Sequence, residues 1–402
     1  MKIIHTGDWH IGKIVNEFSM IEDQRYILNS LVALIKREKP DVLVIAGDIY
    51  DRSIPPVEAV ELLNEIFSKV LIEHKVKIIA ISGNHDSGER VAFGSEILAK
   101  KGLYISGIIE NEIKKVTLKD QLGEINFYLV PYVDPAVIRR KYENPDIKNH
   151  NDAMVFHVRQ IEKNMDKSAR NVLVAHGYVT LKREEAIEAE GEDKYKLADI
   201  KTSDSERPLS IGGTDLIDGK IFENFDYVAL GHLHGRQKIG RDTIRYSGSL
   251  LKYSFSEINH KNGVTIVEFN GDKEPIIRQE ELIPIRNMRI IKGPIKDLIK
   301  TSLEDKCNEK DYIQAILTDE GKIMDPIGKL RGVYPNIMLL KREEKSNIRQ
   351  SETSASKGYK NKSELELFKE FYNRIGTGEM SANKEAIIKD VIDQVLKGER
   401  DK

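Results

Sequence analysis

Seven side chains able to bind a metal ion fall in five short motifs: Asp8 with His10, Asp48, Asn84, His176, and His232 with His234. Carboxylate, amide oxygen and imidazole together suit borderline divalent ions such as Mn2+, Fe2+ or Zn2+, where an all-oxygen set would favour Mg2+ or Ca2+. Asp8 and His10 stand two apart just past a strand end, so both can turn toward one ion as the backbone loosens. His232 and His234 repeat that spacing, with Leu233 pointing away. Asp48 has two oxygens and can bridge two ions, leaving Asn84 and His176 to complete the second. Two ions about 3.5–4 Å apart can share a hydroxide, lower its pKa and clamp a phosphate for in-line attack. His85 lies beside Asn84 but is not needed as a ligand. Paired with Asp86, it can stay protonated, stabilise charge developing on a phosphoryl group and protonate the leaving oxygen.

Any one of these motifs alone is weak. An isolated Asp-x-His, Gly-Asp or Gly-His-x-His occurs in ordinary loops, and Asn-His-Asp after a strand also makes a turn. What joins them is position, because each follows an apolar, β-branched run that reads as a strand: KIIHT, DVLVIAG, KIIAIS, NVLVA and YVALG. Open α/β sheets gather their sites at the carboxyl ends of strands. The remaining histidines lack this placement: His5 lies within the first strand, and His74, His150, His157 and His260 fall in polar segments. Trp9, the sole tryptophan, reads as a packing residue, and Arg52 can serve either a substrate phosphate or a structural carboxylate.

The elements that must carry these residues are legible from periodicity. Ile21 to Lys36 and Val57 to Leu71 have the apolar spacing of helices. Val42 to Ala46 and Ile78 to Ile81 are almost wholly apolar, as strands buried on both faces are. The first half therefore reads as a layered α/β domain. Later strand runs are less often separated by helices, so a second, more antiparallel sheet is expected to pack on the first. Leu181 to Ser210 is polar and too long for a simple connection. Residues 1–275 form the expected main domain and 276–341 a small α+β domain. Residues 342–362 cannot bury themselves and read as a linker. As a flexible coil that linker would span roughly 25 Å. Residues 363–398 read as two amphipathic helices, the first opened by a capping box at Ser363-Glu364-Leu365-Glu366. They either pack back on the main body or dock a partner.

Bulk properties narrow the class. At 402 residues, 40% hydrophobic and 32% charged, with a net charge of −2, the chain can build a large core and has no global basic excess. Nucleic-acid contact would need local patches, for which Arg139-Arg140-Lys141 and Arg236, Lys238 and Arg241 are candidates. No run approaches the roughly 18 apolar residues of a membrane span, and the N-terminus does not read as a signal peptide. The lone Cys307 excludes an internal disulfide. The expectation is a soluble cytoplasmic protein.

Together the motifs resemble those of the calcineurin-like metallophosphoesterase superfamily: Asp8-x-His10, Gly47-Asp48-x-x-Asp51, Gly83-Asn84-His85-Asp86, His176 and Gly231-His232-x-His234. Within it the chain resembles the SbcD family. The narrower likeness rests on Gly47-Asp48-Ile49-Tyr50-Asp51 ending in Pro55-Pro56, Ser82 through Ser87, Ser203-Asp204-Ser205-Glu206-Arg207, Tyr246 through Ser249 and Lys252 through Glu257. The resemblance implies a four-layer α/β/β/α metallophosphoesterase sandwich with a small α+β capping domain and a C-terminal helical tail. It implies Mn2+-dependent exo- and endonuclease activity on DNA, with double-strand ends and hairpins as substrates, near the nucleoid. It also implies a homodimer through the nuclease domain and an SbcC-like ABC-type ATPase partner with coiled coils. The family's ligands fall on Asp8, His10, Asp48, Asn84, His176, His232 and His234, and its non-ligand catalytic histidine on His85. Asp51 departs from relatives that carry a DNA-touching histidine there. A phosphatase or small-nucleotide phosphodiesterase would use the same dinuclear site, and a scaffold that has lost catalysis would not need all eight residues.

Overall fold

A computed structural model describes residues 1–181, 201–206, 215–271, 274–304, 310–319, 321, 323–343, 365–366, 368–369, 372 and 384–392. Most of the polar stretch after Leu181, Arg207 and Pro208, the double glycine at 212–213, Cys307 and the linker beyond 343 lie outside these. The chain divides into two compact units, 1–341 and 342–402.

The first unit is built on two six-stranded sheets. The first runs Ile276–Glu281, Gly263–Glu268, Lys2–Thr6, Val42–Ala46, Lys77–Ile81, Leu103–Ser106. The second runs Gln237–Ile239, Arg241–Tyr246, Tyr227–Gly231, Arg170–His176, Gly123–Val130, Lys114–Asp120. Side chains alternate across a strand, and both faces of each sheet are put to use. Ile3, Val44, Ala46, Ile79 and Ile81 point inward to meet Phe127, Leu129, Val172, Val174 and Ala229 of the second sheet. Outward-facing Ile4, Leu43, Ile45 and Ile78 receive helices Ile21–Glu38 and Val57–Ser68 through Leu31, Ile35, Leu62 and Ile66. On the far side Leu173, Ala175, Val228 and Leu230 receive helix His150–Lys163 through Met154, Val158 and Ile161. The result is the four-layer α/β/β/α order.

Two expectations need correction. The second sheet is no more antiparallel than the first: Gly123–Val130, Arg170–His176, Tyr227–Gly231 and Arg241–Tyr246 run parallel, with antiparallel strands only at the edges. Helix His150–Lys163 supplies the crossover that a parallel pair requires and was hidden by its polar composition. The boundary at 275 is also too early, because Ile276–Glu281 pairs along its whole length with Gly263–Glu268 and completes the first sheet.

A three-stranded sheet of Met288–Gly293, Tyr312–Leu317 and Ile337–Arg342 follows. Helices Ile295–Glu304 and Pro326–Arg331 cover it, with Leu298, Ile313, Ala315 and Leu330 as its core. Met288 and Tyr312 belong instead to the core beneath helix Ile21–Glu38 and seat this sheet on the main body. In the second unit, residues 384–392 are helical, and Lys384 Nζ donates to Tyr372 Oη at 2.7 Å. Among the described residues no helix is long and apolar enough to cross a membrane.

Two histidines away from the strand ends are structural. His5 Nδ1 lies 2.9 Å from Tyr227 Oη and Nε2 3.2 Å from the Leu230 carbonyl, bridging the sheets, and burial drives its pKa down to about 3. His157 packs against Tyr142 and Phe156, and burial carries its pKa from 6.5 to about 4. Between those two values the unfolded chain takes up a proton that the folded one refuses. The stability due to the neutral ring is therefore complete above 6.5 and lost as the pH falls toward about 4. His157→Phe should narrow the difference in melting temperature between pH 7.5 and pH 4.5, measured in EDTA. An unchanged difference would mean that the ring is free to charge in the folded state.

Candidate metal centre

All seven ligand candidates converge where the carboxyl ends of the two sheets meet. Asp8, Asp48 and Asn84 follow strands of the first sheet; His176 and His232 end or follow strands of the second. Asp8, His10 and Asp48 have φ of 54°, 47° and 49°, and His232 has 110°. Such conformations cost of order 1–3 kcal/mol each and persist where surrounding structure holds them. Backbone bonds do part of this: Asp8 N–H donates to Gly47 O at 3.0 Å and His10 N–H to Asp48 O at 2.9 Å.

The side chains form two adjoining groups. Asn84 Oδ1 lies 3.0 Å from both His176 Nε2 and His232 Nδ1. His10 Nε2 faces His234 Nε2 at 3.1 Å. Asp48 Oδ2 stands between the groups, 3.4 Å from His176 Nε2 and 3.7 Å from His10 Nε2. His232 and His234 thus part company: one faces Asn84 and the other His10, while Leu233 between them is buried in the core.

The donor set fits divalent cations. Among the described residues, Asp8 Oδ2, His10 Nδ1 and His232 Nε2 are buried without a hydrogen bond, an arrangement that is costly unless something else satisfies them. Burial pushes the Asp8 carboxyl up to about 7, against the pull of His176 and His234. Burial also drives His10 and His232 well below the ordinary imidazole value. At Asp48 burial works toward a higher pKa, but the charge and hydrogen bond of His176 outweigh it and hold the carboxylate ionised. His176 rises to about 9 despite burial, because it faces Asp48 and Asp8. Acceptor lone pairs of Asp8, His10, Asp48 and His232 thus converge at a buried place, a donor set suited to divalent cations.

His85 enters the same space, its ring centroid 4.6 Å from that of His10. Both His85 and Asp86 are tied to the neighbouring loops. His85 Nδ1 donates to the Asp51 carbonyl at 2.8 Å. The Asp86 carboxylate is occupied by the N–H groups of Ile49 at 3.1 Å, Tyr50 at 2.9 Å and Gly83 at 2.9 Å. Asp86 therefore fastens the Asp48 and Asn84 loops to each other. Asp51, whose role was open in the sequence, sits behind both imidazoles. Its carboxylate pairs with Lys13 at 2.7 Å and lies 3.6 Å from His10 Nδ1.

In the sequence Ser205, Glu206 and Glu257 stand only as parts of motifs, and the fold gives them a role. Glu257 accepts from His234 Nδ1 at 3.0 Å, and Glu206 accepts from the His234 N–H at 2.7 Å. Burial would raise the Glu257 pKa, but His234 and Ser205 outweigh it and carry it down to about 2. A carboxylate behind a ligating imidazole fixes its tautomer and raises its basicity. The spacing of Glu257 to His234 could not reveal this, because they meet only through the fold. The basic stretches are partly engaged by the protein itself: Arg241 donates to the Phe222 carbonyl at 2.9 Å, Lys238 pairs with Asp242 at 2.7 Å, and Arg139 donates to the Ile147 carbonyl at 3.3 Å. Arg52 is exposed, and Trp9 is buried, its Nε1 donating to Thr6 Oγ1 at 2.9 Å.

A model of the calcineurin-like phosphoesterase family matches residues 1–236. A second, described as the Type 5 capsule protein repressor C-terminal domain, matches 284–375. The SbcD nuclease subunit of the Staphylococcus epidermidis SbcCD complex is 34% identical over 398 residues, 98% of this chain and 99% of that one. Among solved structures, a dimetal phosphatase from Danio rerio aligns with a TM-score of 0.41 and 12% identity, covering 71% of this chain and 98% of that chain. The fold and the matching model define a metal-dependent phosphodiesterase. Within that class the chain belongs to the SbcD family of calcineurin-like phosphoesterases.

Asp86 offers a test of its loop-fastening role. Asp86→Asn replaces one acceptor oxygen by an NH2 that faces backbone donors, and should cost about 1–3 kcal/mol of stability in urea unfolding. The pH–rate profile of the remaining activity should keep its shape. A shifted profile with unchanged stability would restore Asp86 as a proton-transfer partner.

Proposed function

We propose that this chain is the nuclease subunit of an SbcCD-type complex and hydrolyses DNA phosphodiesters at double-strand ends and hairpins, using two divalent ions, most readily Mn2+. The observation that carries the reading is the 34% identity to an SbcCD nuclease subunit along 98% of this chain, small sheet and tail included. A phosphatase of small esters needs neither addition.

In this reading Asp8, His10 and His234 would hold one ion and Asn84, His176 and His232 the other, with the Asp48 carboxylate available to both. Bound divalent ions would supply electrophilic pull on a phosphoryl oxygen and a water acidic enough to ionise near neutral pH. His85, oriented by the Asp51 carbonyl, stabilises charge on the phosphoryl group and gives its proton to the leaving oxygen. A cleft of about 320 Å³ lined by Lys13, Asn16, Ser205, Phe255, Gln314 and Lys341 opens beside these residues. Lys13 reaches Asp51, and Ser205 lies 2.7 Å from His234 Nδ1, so a strand running past the metals would continue into this cleft and meet two lysines there.

In the same reading the protein works in the cytoplasm at the nucleoid, assembled from domains 1–281, 282–341 and a tethered helical tail. The tail helix 384–392 keeps Ile387 and Val391 exposed, at 62% and 49%. These suit docking to an ABC-type ATPase with coiled coils. Phe93 and Ile97, at 85% and 75% exposure, follow the Asn84–His85 loop and suit a homodimer contact on the nuclease domain.

The test is a labelled linear duplex incubated with the full chain and Mn2+, alone and with the ATPase partner. DNA cleavage is expected, and His85→Ala should lose about 10²-fold or more in rate while still binding metal. Hydrolysis of nucleotide monoesters with the duplex intact in both conditions would replace this reading by a phosphatase. A His85→Ala protein that loses its ions would overturn the role given to His85.

A further inference from the structure

Gln24 lies in the first turn of helix Ile21–Glu38 and is 1% exposed. A buried amide is costly unless its donors and acceptor find partners. The partners of this one all belong to the metal centre's own supports. Its Oε1 accepts from the Gly12 N–H at 2.9 Å. Its Nε2 donates to the His10 carbonyl at 2.7 Å, lies 3.4 Å from the Trp9 carbonyl and lies 3.1 Å from Tyr253 Oη. The Tyr253 hydroxyl donates in turn to the Trp9 carbonyl at 2.5 Å. Its ring stands edge-on to both His10 and His234, with centroids 5.7 Å and 5.8 Å away.

One side-chain amide therefore grips the backbone at His10 and again two residues on, in a stretch between strands. His10 is strained there, with φ of 47°. Backbone bonds to Asp48 and Ile49 hold the N–H side of that stretch, and the carbonyl of His10 accepts from both the Lys13 N–H at 3.0 Å and the Gln24 side chain. The helix turn that presents Gln24 is itself anchored. The next residue back, Asp23, is 1% exposed, accepts from Tyr312 Oη at 2.7 Å and pairs with Arg286 at 3.4 Å. The clamp thus has a fixed base on the small sheet and an arm on the loop that carries His10.

We propose that Gln24, braced by the Tyr253 hydroxyl, is a positioning residue that holds the strained His10 backbone and thereby sets the affinity of the ion at the His10 side of the centre. The proposal rests on His10 being a ligand. A glutamine that only filled a buried space would contribute to stability and leave metal affinity alone, so affinity is the discriminating readout.

The experiment is a calorimetric titration of Mn2+ into the metal-free full chain, for the parent, Gln24→Leu, Tyr253→Phe and, as a reference for a lost subsite, His10→Ala. Each titration is paired with the melting temperature of the metal-free protein. Gln24→Leu should weaken one of the two sites by about 10- to 100-fold, the one that His10→Ala removes, and leave the other. Tyr253→Phe should weaken that same site by a smaller factor, about 2- to 10-fold, as expected for one hydrogen bond. A folded Gln24→Leu protein with both affinities within about twofold of the parent overturns the proposal. Should Gln24→Leu fail to fold, parental affinity in Tyr253→Phe overturns it equally. A parent that takes up no Mn2+ brings down the metal reading and this proposal with it, whereas a parent with two sites and unaltered variants brings down this proposal alone.

Discussion

Asp8 Oδ1, at the end of a first-sheet strand, accepts the His232 N–H of the second sheet at 2.8 Å, and His176 Nδ1 of the second sheet donates to the Ala46 carbonyl of the first at 2.8 Å. These bonds join the two sheets at the place where the ligand candidates gather, and the centre depends on that junction. Both sheets contribute to the donor set, so a shift of one sheet over the other would separate Asp48 from His176. The junction also explains a glycine. A Cβ at Gly231 would lie 1.8 Å from the Ala46 carbonyl oxygen, a distance no side chain survives, so only glycine lets the sheets approach this closely.

Around that junction the molecule accumulates features that are unfavourable singly. Asp8, His10 and Asp48 occupy left-handed backbone conformations, and buried polar atoms on Asp8, His10 and His232 lack hydrogen bonds. Two buried carboxylates stand together, where burial raises one and the histidines lower the other. An apolar core of this size can sustain such strain, because the sheets are buried on both faces. Divalent cations would relieve the electrostatic part, and the carboxylates Glu257, Glu206 and Asp86 hold the rest in shape.

The seven candidate ligands were legible in the sequence because each motif follows an apolar strand and strand ends are readable from composition, whereas the four-layer order was expected from the family resemblance. Residues that act from a distance left no such signal. Gln24 looks like any polar residue in an amphipathic helix, and its partners at Gly12 and Tyr253 are set by the fold. Glu257 was visible only as a letter in a motif. The bonds from the Asp86 carboxylate to the Ile49, Tyr50 and Gly83 amides left no trace in the sequence either, because the fold alone brings those backbones to it. Helix His150–Lys163 escaped because its apolar face, Met154, Val158 and Ile161, is narrow and flanked by charge. Composition also could not show that Arg241 and Lys238 of the basic stretches bond to a local carbonyl and carboxylate.

Asp48 Oδ2 stands between the two groups of candidate ligands, where it could serve two ions at once. Low-temperature electron paramagnetic resonance of the full chain loaded with Mn2+ reads this directly, because two Mn2+ ions about 3.5–4 Å apart are exchange-coupled. A coupled multiline spectrum that Asp48→Ala abolishes is expected. A spectrum of isolated six-line Mn2+, unchanged by Asp48→Ala, would contradict it.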